Sequence, residues 1–207
     1  MKKLILAAAV LLSSAAGAQC LQKGNFSISI SGEGGYYNTS LSTVFFGLEV
    51  TAKDTAAAVF LPITAEFMLT DRFAVGLMYK SGRYLSDKDD ETNQTSAFAL
   101  TASYHLLVND KNDLMGRVGF GSSLIDQQDT GTPKAELRAS GPMFEIGLFY
   151  RHYFGEHFGL NFGADFNSYA YNLKSYSEEG AEIDISDLAW TLRAVGPEFT
   201  IGLCTKF

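Results

Sequence analysis

One feature constrains this chain before any other: its hydropathy alternates with a period of two over most of its length. In "HFGLNFGADFNSYAY", Phe158, Leu160, Phe162, Ala164 and Phe166 share one parity, while Gly159, Asn161, Gly163, Asp165 and Asn167 share the other. "MFEIGLFYRHYF" sets Phe144, Ile146, Leu148, Tyr150 and Phe154 against Glu145, Gly147 and Arg151. "RFAVGLMYK" sets Phe73, Val75, Leu77 and Tyr79 against Gly76 and Lys80, and "FLPITAEFML" sets Leu61, Ile63 and Phe67 against Thr64 and Glu66. "NFSISISGEGGYY", "FALTASYHLLV" and "LMGRVGFGSSL" repeat the pattern, with Glu33, His105 and Arg117 on their polar sides. A period of two means strands with one apolar and one polar face.

The pattern predicts eight strands, near 25–37, 57–69, 72–85, 95–108, 113–125, 141–154, 157–171 and 187–207. The links alternate in length. Those near 70–71, 109–112 and 155–157 are tight, whereas 38–56, 86–94, 126–140 and 172–186 read as long loops. Segment 41–50, "LSTVFFGLEV", could be a further strand, but a ninth crossing would separate the termini, so it is read as the first long loop, with a short hairpin extension as the variant. In the last strand Trp190, Leu192 and Ala194 share one parity and Phe199, Ile201 and Leu203 the other. A β-bulge near Val195-Gly196-Pro197 is the expected repair.

The apolar parity carries Phe, Leu, Ile and Tyr, while the charged parity also carries Gly76, Gly119, Gly121, Gly147, Gly159 and Gly163. Soluble sandwiches and lipocalin-like barrels alternate too, with the oily face inside. Small residues beside charges instead suit a narrow polar lumen, with lipid outside. Aromatics gather at strand ends: Phe67, Phe73, Tyr104, Phe154, Phe158 and Phe207 near the tight turns, and Tyr36, Tyr37, Tyr84, Tyr169, Tyr171 and Trp190 near the loops. Two belts of this kind mark bilayer interfaces. The expected fold is all-β: an eight-stranded antiparallel transmembrane up-and-down β-barrel.

Export is also written in the chain. "MKKLILAAAVLLSSAAGAQC" has two lysines, an apolar run too short to span a bilayer, and Ala16-Gly17-Ala18 before a cleavage site. Residues 1–18 are expected to be a signal peptide and 19–207 the barrel domain. A lipid anchor on Cys20 is the competing reading, and Gln19 before the cysteine fits it poorly. Cleavage leaves 189 residues and removes only Lys2 and Lys3, so the formal charge moves from −7 to −9. That acidity argues against nucleic acid as a partner.

The chain closes on "PEFTIGLCTKF", with Phe199, Ile201, Leu203 and Phe207 on one parity. This ending, the tight turns with "LTDRFAVGL" at the first of them, and the export signal resemble the small outer-membrane β-barrel family, which includes OmpX and the membrane domain of OmpA. The resemblance spans nearly all of residues 24–207. It implies placement in the outer membrane of a Gram-negative bacterium with both termini in the periplasm, and contact with outer-membrane lipids and lipopolysaccharide. It also implies that Phe199, Ile201, Leu203 and Phe207 form a sorting signal read by the barrel-assembly machinery. Cys204 inside the closing strand departs from the pattern.

Eight strands leave an interior that side chains can fill. By parity the lumen acids are Glu33, Glu66, Glu145, Asp165 and Glu198, and the bases Lys80, Arg117, Arg151, Arg193 and Lys206. Five against five predicts a neutral, paired network rather than a ring of one sign. Four functional readings stand: an envelope structural or surface-interaction protein meeting host or envelope ligands through acidic loops; a narrow channel or small-solute carrier; a binder of a small apolar molecule; and a lipid-modifying enzyme. No His-x-Ser pair of the lipid A deacylase kind is present, and His105, His152 and His157 lack metal-ligand spacing. No catalytic, cofactor or metal residues are expected. Two runs are acidic, 86–92 and 177–187, and the first lacks the central glycine and terminal glutamate of a calcium loop. They read as solvated surface, or as weak divalent bridges to lipopolysaccharide. Cys20 and Cys204 are either a disulfide or two free thiols, since the sequence gives no Cα separation.

Overall fold

The computed structural model describes residues 21–45, 48–85, 91–109, 111–129, 134–185 and 189–207. Among these described residues nine strands follow in chain order: β1 (Phe26–Phe45), β2 (Leu48–Met68), β3 (Phe73–Tyr84), β4 (Glu91–Val108), β5 (Asn112–Asp129), β6 (Ala135–Tyr153), β7 (Phe158–Glu178), β8 (Ala181–Glu182) and β9 (Ala189–Lys206). Eight of them form a ring in the order β6-β5-β4-β3-β2-β1-β9-β7, closed by β6 against β7. Every pairing is antiparallel. β8 is a two-residue arm folded back on β7. The fold is the expected eight-stranded up-and-down barrel.

Side-chain polarity is inverted relative to a water-soluble core. Leu100, Phe120, Phe199 and Ile201 are more than 60% exposed on the outer wall, while Lys80, Glu145 and Glu198 are fully buried. Water would reverse this arrangement; hydrocarbon demands it. The inward glycines make room for the charges. A Cβ on Gly76 would lie 2.5 Å from the Ala65 carbonyl oxygen and 2.7 Å from Thr101 Oγ1, and one on Gly147 would strike Asp165.

The tight turns are held by their own side chains. Thr70 Oγ1 accepts from the Phe73 amide at 3.0 Å, and Asn109 Oδ1 accepts from the amides of Lys111 and Asn112 at 3.0 and 2.8 Å. These are Ser/Thr and Asx turns, which need no long connection. The ring closes where Phe207 and Phe26 exchange backbone hydrogen bonds of 2.8 and 3.1 Å.

Three expectations need correction. First, the long segments are largely strand. β1 and β2 pair continuously from Tyr36↔Ala57 to Phe45↔Leu48, and β5 and β6 run to Asp129↔Ala135. Polar strands above the membrane lose the apolar alternation that reveals strands inside it. Second, no bulge interrupts Val195–Pro197; both ladders of β9 keep one register. The hydrophobic parity changes because the surroundings do. Trp190, Leu192 and Ala194 pack toward the lumen, whereas Phe199 and Ile201 face lipid. Third, Tyr37, Tyr84, Tyr169 and Tyr171 are not an outer aromatic belt. All four are buried inside the barrel.

A strand of 21 residues is roughly 70 Å long at about 3.3 Å per residue, and a crossing needs only about 9–11 residues. β2 shows where the crossing ends. Its outward Phe67, Ile63, Leu61 and Val59 give way to Thr55 and Lys53. The hairpins therefore stand well clear of the bilayer on the side away from the tight turns.

Candidate functional site

The polar interior is the richest chemical region of the barrel, and it is built in storeys. At mid-height Lys80 projects from β3 and gathers carboxylates from four other strands. Its Nζ lies 2.9 Å from Glu33 on β1, 3.1 Å from Glu145 on β6, 2.7 Å from Glu198 on β9 and 3.9 Å from Asp165 on β7. Arg117 on β5 donates from Nε to Glu145 at 2.8 Å and lies 3.7 Å above the Phe149 ring. Thr200 donates to Glu33 at 2.9 Å, and Asn167 donates to Asp165. Buried charges are tolerable only when paired and hydrogen-bonded in this way.

Nearer the tight turns lies a second ionic storey. Arg151 on β6 donates to Glu66 on β2 and approaches Asp113 on β5 at 3.6 Å. Ser103 donates to Glu66 at 2.6 Å, and His105 Nδ1 meets Asp113 at 2.6 Å. Lys206 Nζ sits 4.3 Å over the Tyr153 ring. Leu21, Met68, Ala74, Tyr153 and Cys204 close the floor below.

Above the Lys80 storey the lumen turns aromatic. Tyr37, Phe60, Tyr84, Tyr169 and Tyr171 pack with Met78 and Met143. Tyr37 meets Tyr84 edge-on at 5.7 Å, and Tyr169 stacks on Tyr171 at 6.0 Å. These rings give geometric attraction beyond their area. They also cap the charges below, since Tyr37 and Tyr169 both donate to Glu198.

Nine of the ten expected lumen charges meet in these storeys: Glu33, Glu66, Glu145, Asp165 and Glu198 with Lys80, Arg117, Arg151 and Lys206. Arg193 does not. It is exposed on the outer wall, because the unbroken register of β9 puts odd residues outside. Asp113 was missed and is fully buried; it opens the expected strand 113–125, and the parity of Met115 and Arg117 leads straight to it. Among the described residues the lumen thus holds six buried carboxyls against four lysines and arginines, not five against five.

Glu33, Asp165 and Glu198 bring carboxylate oxygens within 4.8 Å of one another, a hard-cation arrangement. The Lys80 ammonium stands among them and takes the place of the cation. His105 and Asp113 form half of a nucleophilic triad, but Ser103 gives its proton to Glu66 instead. His152 and His157 lie near the tight turns, bonded to Asn112 and to the Lys206 carbonyl. Of the residues expected to form a sorting signal, Phe199, Ile201 and Leu203 face lipid and Phe207 sits at the seam beside Phe26. Cys204 is buried; Cys20 lies outside the described residues, as do residues 1–18, the expected signal peptide, and Asp87, Asp89 and Asp90.

An apolar outer belt, a closed antiparallel ring and a side-chain-filled polar interior define the outer-membrane β-barrel class. The solved structures agree. The chain superposes on the outer membrane protein OprG from Pseudomonas aeruginosa with a TM-score of 0.60 and 16% identity, covering 92% of this chain and 99% of that one. It superposes on the outer membrane protein AlkL at 0.57 and 16%, covering 94% of each. Neisserial surface protein A gives 0.52 and 11%, covering 89% of this chain and all of that one. No protein-family model matches the sequence, and no curated protein matches it. At such identities the likeness is one of fold, that of small outer-membrane barrels.

Proposed function

We propose that this is a closed, non-catalytic outer-membrane barrel, with both termini in the periplasm, that acts through the hairpins it raises above the membrane. One observation carries the reading: the lumen is filled at three successive levels, ionic, ionic and aromatic, by buried side chains. A path for solutes would have to break the Lys80 network and part the tyrosines. The hairpins, in contrast, spend about half of the long strands outside hydrocarbon. The β7–β8 arm carries Glu179, Glu182 and Asp184 on its surface, a solvated acidic display.

A second reading has a specific observation behind it. The excess of carboxyls over lysines and arginines in the lumen favours a cation-selective leak if the filling ever parts. Planar-bilayer recording of the purified barrel separates the two. The closed reading expects no conductance steps. Steady cation-selective currents from the unaltered protein would replace it with the channel reading.

A further inference from the structure

The outer wall of β2–β5 carries a groove that the lumen does not use. Strand register sets its outward rows. Leu61, Ser81, Ser96 and Leu124 lie side by side across four strands, and Val59, Arg83, Gln94 and Asp126 form the next row toward the hairpins. Tyr79 and Phe98 form the row toward the membrane centre. Two serines between two leucines leave a trough in an otherwise bulky wall, and the groove measures about 660 Å³. Same-face rows are roughly 6–7 Å apart, so apolar Tyr79 and cationic Arg83 are separated by about 13 Å along one strand.

The groove is therefore amphiphilic along its length. Its lower part is continuous with the lipid belt, and Arg83 stands exposed at its upper end. Among the described residues Arg83 makes no ion pair; the nearby Asp126 is taken by Arg138 at 2.6 Å. The chain as a whole is acidic, at −7, so an anionic lipid is repelled by most of the rim and drawn to this cation. A guanidinium fork matches phosphate in charge and shape, and Gln94, Ser81 and Ser96 add donors for sugar hydroxyls.

We propose that this groove docks a phosphorylated glycolipid of the outer leaflet, lipopolysaccharide, with Arg83 on a lipid A phosphate and an acyl chain in the Ser81–Ser96 trough. The assignment rests on the orientation proposed above, which puts the Arg83 end at the outer leaflet.

The test is native mass spectrometry of the full barrel in detergent, titrated with bisphosphorylated lipid A. This readout does not depend on orientation, so its failure is distinct from a failure of topology. The wild type should hold one lipid A tightly. Arg83→Glu should weaken binding at least about tenfold, the scale of one lost charge-assisted contact. Ser96→Trp, which fills the trough without changing charge, should also weaken it. Lys111→Ala, at the opposite end, should leave it unchanged. Equal binding by Arg83→Glu and wild type would overturn the proposal, as would equal binding of dephosphorylated lipid A or phosphatidylethanolamine.

Discussion

Glu145 shows what a single lumen residue carries. It accepts from Arg117 at 2.8 Å and lies 3.1 Å from Lys80, with no exposed surface. Removing one half of a buried pair leaves the other charged and unsolvated. Arg117→Ala or Glu145→Ala should therefore destabilise the barrel by about 3–5 kcal/mol, read from urea unfolding in lipid vesicles. Asp165→Asn should cost much less in the same assay. Asp165 has only the Asn167 amide and a lysine at 3.9 Å, so the change removes little that is bonded. Equal losses from the two sites would contradict the unequal pairing. Most of this network was legible because parity is a local property: Glu33, Lys80 and Glu145 sit within clear alternation. Arg193 was misread because its neighbours Trp190 and Leu192 face an aromatic lumen, where apolar no longer means outside. Which carboxylate meets which cation depends on pairings between strands far apart in sequence, and alternation carries no such information.

The hairpins are the elements whose role is easiest to separate from stability. β1 and β2 beyond Asn38↔Thr55 supply no residue to the ionic and aromatic storeys described above. Replacing residues 43–50 by a two-residue turn should leave the heat-modifiable band of the folded barrel intact on gels. Loss of that band would tie the hairpin to folding rather than display. Orientation has its own test at this scale. Lys134 is exposed at a hairpin end and Lys111 at a tight turn. Trypsin on intact cells should cut at Lys134 and spare Lys111; the reverse pattern would turn the barrel over. The membrane halves of the strands were readable, since lipid imposes strict alternation. The outer halves were read as loops because solvent on both faces imposes none.

At the scale of the whole molecule, two dissimilar barriers are stacked in one lumen. Tyr169→Ala thins the aromatic level and leaves the ion pairs in place beneath it. Single-channel recordings of that variant should remain silent, and currents from it alone would show that the ionic levels do not block passage. The overall architecture was legible from strand count, turn length and alternation together. Closure was expected with it and is met by the β6–β7 and β1–β9 pairings; the register of each pairing was not legible, because it joins strands far apart in sequence.

Lys80 also bears on how such a barrel comes into being. Its four carboxylate neighbours stand on β1, β6, β7 and β9, so no hairpin of the nascent protein contains the cluster. The complete cluster, with Glu198 of β9, can form only when the last strand docks against the first. Until then each charge faces water or headgroups, and the lumen side of an unfinished sheet cannot enter hydrocarbon cheaply. Interactions absent from the transition state act on escape from the native state rather than on arrival. Lys80 works as a latch set after the wall is built: its loss should hasten unfolding several-fold while leaving the rate of membrane insertion almost untouched.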